Sequence, residues 1–149
     1  MTAINLILLT GTFCFMEFTA WFVHKYVMHG FLWYLHQDHH QPKGGIFEKN
    51  DAFFLIFAVP SFLLILFGSQ NAFDYRFYIG AGILLYGICY FLVHEVLIHQ
   101  RLPWLQKASG KYFRGLRKAH AAHHKNPNKK GCTCFGMLVV PFKYFRKAH

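Results

Sequence analysis

Residues 24–40 read HKYVMHGFLWYLHQDHH, an H-x4-H pair (His24, His29) followed by an H-x2-H-H cluster (His36, His39, His40). The same order returns in HEVLIH (His94, His99) and HAAHH (His120, His123, His124), so ten of the eleven histidines fall in two copies of one unit. Packing does not account for such a repeat, because every imidazole brought near a core needs a hydrogen-bond partner or a metal. In an α-helix, positions i, i+3 and i+4 lie within roughly 100° of one another, so each H-x2-H-H cluster presents its three rings on one face. An i, i+5 pair lies about 140° apart on a regular α-helix, so each H-x4-H requires the helix to end or unwind between its ligands. Gly30, just after His29, suits that. Ten neutral imidazoles exceed the needs of one first-row ion, and two ions sharing the set is the economical reading. Ligand type alone allows Fe, Zn, Cu or Ni.

The chain has 149 residues, the length of a single domain (1–149). Three apolar runs cover about residues 3–23, 52–69 and 77–93, the first broken only by Glu17. About 20 mostly apolar residues span a bilayer, and a chain this small cannot bury three helices that are apolar all round. The expected architecture is all-α: an integral membrane helical bundle whose histidine-rich helices form a dinuclear metal site in the regions 24–51 and 94–149. Fifteen of the sixteen Lys and Arg flank these spans on one side, and only Arg76 stands opposite, beside Asp74. That bias places the histidine regions and the C-terminus in the cytoplasm and the N-terminus outside. No Lys or Arg precedes Lys25 and no A-x-A site follows the first run, so the expectation is an uncleaved, multi-pass protein of the bacterial inner membrane. The net charge of +10 suits anionic lipid, and no nucleic-acid partner is expected. Cys14, Cys89, Cys132 and Cys134 lack zinc-knuckle spacing and read as reduced thiols.

Along the chain, the first helix is expected from about Ala3 to His29. Glu17 lies two turns before His24 on the same face, and a carboxylate inside a span is functional by default. It either accepts a hydrogen bond from a ligand imidazole or packs protonated against another helix. Asp38 and Glu95, inside the histidine boxes, either orient imidazoles or pair with nearby cations. Pro42, Gly44 and Gly45 mark a turn, Asn50 or Asp51 caps the second span, and Pro60 kinks it. Residues 104–125 read as a helix with a basic face (Lys107, Lys111, Arg114, Arg117, Lys118) lying on lipid headgroups. Residues 135–142 are too short to span and suit a surface or re-entrant segment.

The order and spacing of HKYVMHG, HQDHHQP, GIFEKND, HEVLIHQRLP, AHAAHH and CTCFGML, from about Glu17 to Leu138, resemble the membrane fatty acid hydroxylase superfamily. They are closest to its bacterial beta-carotene 3-hydroxylase branch. The resemblance implies a non-haem di-iron centre held by His24, His29, His36, His39, His40, His94, His99, His120, His123 and His124, with one of the ten free to stand behind the ligands. Zinc readily replaces iron at such imidazole sites. It further implies an O2-dependent monooxygenase that hydroxylates C3 of the β-ionone ring of a carotenoid drawn from the bilayer. The product series would run from beta-carotene through beta-cryptoxanthin to zeaxanthin, with electrons from a ferredoxin-type donor. Fifteen Lys and Arg stand on the cytoplasmic side against Asp38, Glu48, Asp51 and Glu95, a net of +11 that would steer an acidic carrier. Two other readings stand beside this one. A fatty acid or sterol hydroxylase or desaturase would differ in product. A non-enzymatic metal-binding or transport protein would place ligands near mid-bilayer at broken helices, whereas every cluster here sits at one interface.

Overall fold

The computed structural model describes residues 2–42 and 47–146. Five α-helices are found among them: α1 (Ala3–Phe22), α2 (Trp33–His40), α3 (Ala52–Gln70), α4 (Tyr75–Phe91) and α5 (Lys111–His124). Three continuous helical stretches, Ala3–Phe31, Lys49–Gln70 and Tyr75–Ile98, are long and apolar enough to cross a membrane. They contain the three expected spans and extend each of them. The second stretch runs through Pro60 as one helix. The turn expected at Pro42, Gly44 and Gly45 falls largely outside the described residues, as do Lys43, Lys147 and His149.

Two of these stretches change winding where the histidines begin. Val23–Phe31 and Leu92–Ile98 are π-helical, closed by bonds such as Leu32 N–H to the Val27 carbonyl and His99 N–H to the His94 carbonyl, both 3.0 Å. The wider i→i+5 turn carries a residue five positions on round to nearly the same face. This is how H-x4-H becomes a pair of convergent ligands. The unwinding expected at Gly30 does occur, at φ −103° and ψ −125°, but it follows both histidines and turns the chain into α2.

Inside the membrane, α4 lies between α1 and α3, and two glycines let it do so. A Cβ on Gly80 would meet the Ser61 carbonyl at 2.8 Å, and one on Gly82 would meet the Leu9 carbonyl at 2.7 Å. The two positions face opposite neighbours, so small residues set close approach on both sides, as membrane helix packing favours. The Ser61 hydroxyl donates to the Gly80 carbonyl at 2.8 Å across the α3 contact.

Two expectations are corrected outside the spans. The helix expected over 104–125 begins only at Lys111, with Gly110 before it, and residues 101–107 form turns and bends. Arg117, expected on a basic lipid-facing surface, instead points inward and donates to the carbonyls of Leu97, Leu105 and Ala108. One guanidinium thus holds the irregular segment against the end of the third membrane stretch. Around it, Leu97, Leu116, Ala119 and Val140 make a small apolar core beneath the histidine cluster.

The glycine packing carries a stability test. Gly82→Val should push α1 from α4 and cost about 1–3 kcal/mol, the usual range for overpacking. Gly11, with open space around its Cβ position, should accept valine with little effect. Equal thermal midpoints for the two variants in detergent would contradict this packing.

Candidate metal centre

The ten histidines converge at one end of the bundle, and nine of them form two groups able to hold a metal ion. The first is His24, His29, His36, His40 and His123; the second is His39, His94, His99 and His120, with the available nitrogens of each group within 4.8 Å of one another. The division follows the repeat. One π turn supplies His24 and His29 to the first group; the other, with the residue that follows it, supplies His94 and His99 to the second. α2 and α5 serve both, since the adjacent residues His39 and His40 enter different groups, as do His120 and His123 one turn apart.

His124 belongs to neither group and lies between them. Its ring stacks on His40 at 4.3 Å between centroids and approaches His120 at 4.4 Å and His39 at 4.8 Å. Its buried Nε2, like that of His39, has no hydrogen-bond partner among the described residues.

The donor set fits a cation. A carbonyl oxygen can only accept, so a ring nitrogen facing one must carry the proton. His24 Nδ1 donates to the Phe135 carbonyl at 3.1 Å, His29 Nδ1 to Lys129 at 3.0 Å and His123 Nδ1 to Thr133 at 2.9 Å. His36 Nδ1 donates to Asn50 Oδ1 at 2.7 Å. In a neutral ring the other nitrogen then holds a bare lone pair. Those lone pairs face each other: His24 Nε2 to His36 Nε2 at 3.2 Å, and His29 Nε2 to His123 Nε2 at 3.2 Å. Burial among apolar groups would leave them unsatisfied, and a positive ion between them removes the conflict. The second group is built alike, with His39 Nδ1 on Glu48 at 2.9 Å and His94 Nδ1 on Glu95 at 2.6 Å. Fixing the tautomer from behind is how proteins orient metal-binding imidazoles.

Of the carboxylates singled out from sequence, only Glu95 touches an imidazole. It is buried and shared between His94 and Arg101, whose guanidinium donates to it at 2.8 Å and to Asp51 at 2.9 Å. Asp38 does not reach a ring: it accepts from the Lys49 backbone N–H at 2.7 Å, because it projects from α2 away from the three histidines. Glu17 does not reach one either. Its carboxylate accepts from the Tyr86 hydroxyl at 2.7 Å and from the backbone N–H groups of Met137, Leu138 and Val139 at about 3.0 Å. It thereby anchors the segment that presents the Phe135 carbonyl to His24, and its influence on the cluster runs through that strap. The sequence reading did not identify Glu48 or Asn50 as partners of the cluster. Asn50 does not cap the second membrane helix, because its amide is taken by His36. The three backbone acceptors carry no side-chain signal at all.

Burial holds the imidazoles outside the spans neutral. It pushes His36 and His124 down to about 2, His99 and His123 to about 3 and His40 to about 4, and it lowers His39 and His120 as well. Unfolded imidazoles take protons near 6.5. Between about 6.5 and these values the unfolded chain binds more protons than the folded one, so stability falls as pH falls. The metal-free protein in detergent should therefore lose thermal stability progressively below about pH 6.5, each buried ring contributing up to about 1.4 kcal/mol per pH unit. A midpoint independent of pH from 7 to 5 would contradict a neutral buried set.

Comparison with known proteins agrees with this chemistry. The fatty acid hydroxylase family profile matches residues 9–144. The beta-carotene hydroxylase of Pantoea ananas is 42% identical over 137 residues, 92% of this chain and 78% of the relative. That of Paracoccus sp. (strain N81106 / MBIC 01143) is 36% identical, covering 92% of this chain and 85% of the relative. The chloroplastic beta-carotene hydroxylase 2 of Capsicum annuum is 38% identical over 85% of this chain and only 41% of its own length. No solved structure matches the chain. With its profile match over nearly the whole length and its relatives at this identity, the chain belongs to the fatty acid hydroxylase family, as the histidine boxes indicated.

Proposed function

We propose that this membrane enzyme is a carotenoid hydroxylase, inserting oxygen at C3 of a β-ionone ring and carrying beta-carotene through beta-cryptoxanthin to zeaxanthin. The beta-carotene hydroxylase activity of the relatives is one support. The observation that carries the reading is the pair of buried imidazole groups at the end of an apolar membrane bundle. Family membership sets aside the metal-transport alternative, since the family is one of enzymes.

The metal of this reading is iron, one ion in each histidine group, held by His24, His29, His36, His40 and His123 and by His39, His94, His99 and His120. His124 stands between them as a tenth ligand or as a ring behind the ligands. Bound iron would supply the O2 chemistry by which R–H, O2, two electrons and two protons become R–OH and water. The chain's own part is to hold six of these rings correctly turned. Phe135, Lys129 and Thr133 do this through their carbonyls, and Asn50, Glu48 and Glu95 through their side chains. Burial keeps water from the cluster.

The reading places the cluster on the cytoplasmic side of a bacterial inner membrane, with the N-terminus outside and all 149 residues acting as one unit. Anionic lipid and an acidic ferredoxin-type donor both suit the basic cytoplasmic face. Steering by that face should make the reduction rate fall as ionic strength rises.

Bacteria engineered to accumulate beta-carotene should form beta-cryptoxanthin and zeaxanthin when this gene is expressed. The variants His39→Ala and His123→Ala, one from each group, should insert normally, lose at least one metal equivalent and lose more than 99% of the conversion. Unchanged pigment with inserted wild-type protein, iron and donor supplied would move the substrate to an acyl or sterol lipid. Full activity in either variant would overturn the ligand assignment.

A further inference from the structure

A cavity of about 670 Å3 runs along the face of α4 between walls from α1 and α3. Its volume falls within the ~300–1,000 Å3 of small-molecule sites. At one end it is lined by Asn50 and Glu95, the residues that hold His36 and His94 from behind, so that end reaches the outer side of the histidine cluster. At the other end it stops at Ile65 and Ile83. At about 1.5 Å per helical residue, those ends lie roughly 18–22 Å apart, short of the ~30 Å hydrocarbon core.

Its surface is mostly hydrocarbon, with the Tyr90 hydroxyl and the Trp104 indole among its few polar groups. The Ser61 hydroxyl is spent on the Gly80 carbonyl, the Tyr86 hydroxyl on Glu17, and Asn50 and Glu95 on their imidazoles. The floor is α4, where Gly87 stands out. Gly68, Gly80 and Gly82 are glycine because a Cβ would strike a neighbouring helix, but a Cβ on Gly87 would meet nothing within 4 Å. Helix packing does not require a glycine there, and the open space above it belongs to the groove. Gly87 also sits seven residues before His94, on nearly the same stripe of the helix and about 10 Å below it. A rod entering with its ring at the cluster must pass over Gly87.

We propose that this groove is the substrate site, taking one ring end and the adjoining polyene of the carotenoid, and that Gly87 is the specificity-determining position that keeps it wide enough. The remainder of the molecule lies among lipid tails beyond Ile65. The proposal rests on the carotenoid reading above.

The test is a size series in beta-carotene-accumulating cells and in detergent: Gly87→Ala, Gly87→Val and Gly87→Leu, with Gly11→Leu as a control in an equally open position outside the groove. Conversion should fall in steps with side-chain volume, at least tenfold in kcat/KM for leucine. Metal content, thermal midpoint and beta-carotene conversion by Gly11→Leu should stay at wild-type values. Ala20→Leu narrows the same groove from the α1 wall and should also impair conversion, which decides the matter if Gly87→Leu fails to fold. Wild-type conversion by both folded leucine variants would overturn the groove assignment. Co-purified beta-carotene separates this from failure of the functional reading. Wild-type protein that retains the pigment without hydroxylating it keeps the groove and loses the activity; active wild-type protein with indifferent Gly87 variants does the reverse.

Discussion

Bare imidazole nitrogens facing each other at 3.2 Å inside a buried cluster are the constraint on which the rest of the structure depends. Six of the rings spend their one N–H on an acceptor behind them, so the lone pairs that these rings turn inward can be satisfied only by a cation. Protonating the rings would not serve, since burial drives the imidazoles outside the spans far below their ordinary range. The acceptors therefore matter as much as the histidines. Their sources are dispersed: the strap at residues 129–135 gives three carbonyls, the segment before the second membrane helix gives Glu48 and Asn50, and the end of the third gives Glu95.

Those acceptors are themselves tied down. Arg101 links Glu95 to Asp51, joining the ends of two membrane stretches behind the second histidine group. Glu17, deep in the first span, grips the backbone of Met137–Val139 and so fixes the strap that serves His24 and His123. Tyr86 shares that carboxylate and lines the apolar groove, so one contact joins the membrane cavity, the strap and the cluster. α4 holds the centre of this arrangement: its glycines pack it against both neighbours, and its π-wound end delivers His94 and His99.

Much of this was legible in the sequence. The three apolar runs gave the spans, and the i, i+3, i+4 spacing of His36, His39 and His40 put all three in the cluster. The H-x4-H pairs showed that a regular α-helix would not serve, but not which distortion replaces it, because π-winding depends on the packing around the turn. The partition of His39 and His40 between two groups was hidden for the same reason: it depends on where α2 lies relative to the two π turns. Carbonyl acceptors leave no residue-type signal. Glu17 was correctly marked as out of place in a span, yet its partners lie about 70 and 120 residues away, beyond the reach of helical periodicity. The start of α5 was missed because Arg117, read as a surface charge, is the residue that holds the preceding turns in place.

The central claim is that one chain holds two metal ions through imidazole nitrogen alone. Metal quantitation joined to X-ray absorption at the iron edge of purified, iron-loaded protein tests it most directly. The account predicts two irons per chain, imidazole scattering around both and no sulfur neighbour from any of the four cysteines. A single iron per chain at saturation, or a sulfur ligand, would contradict it.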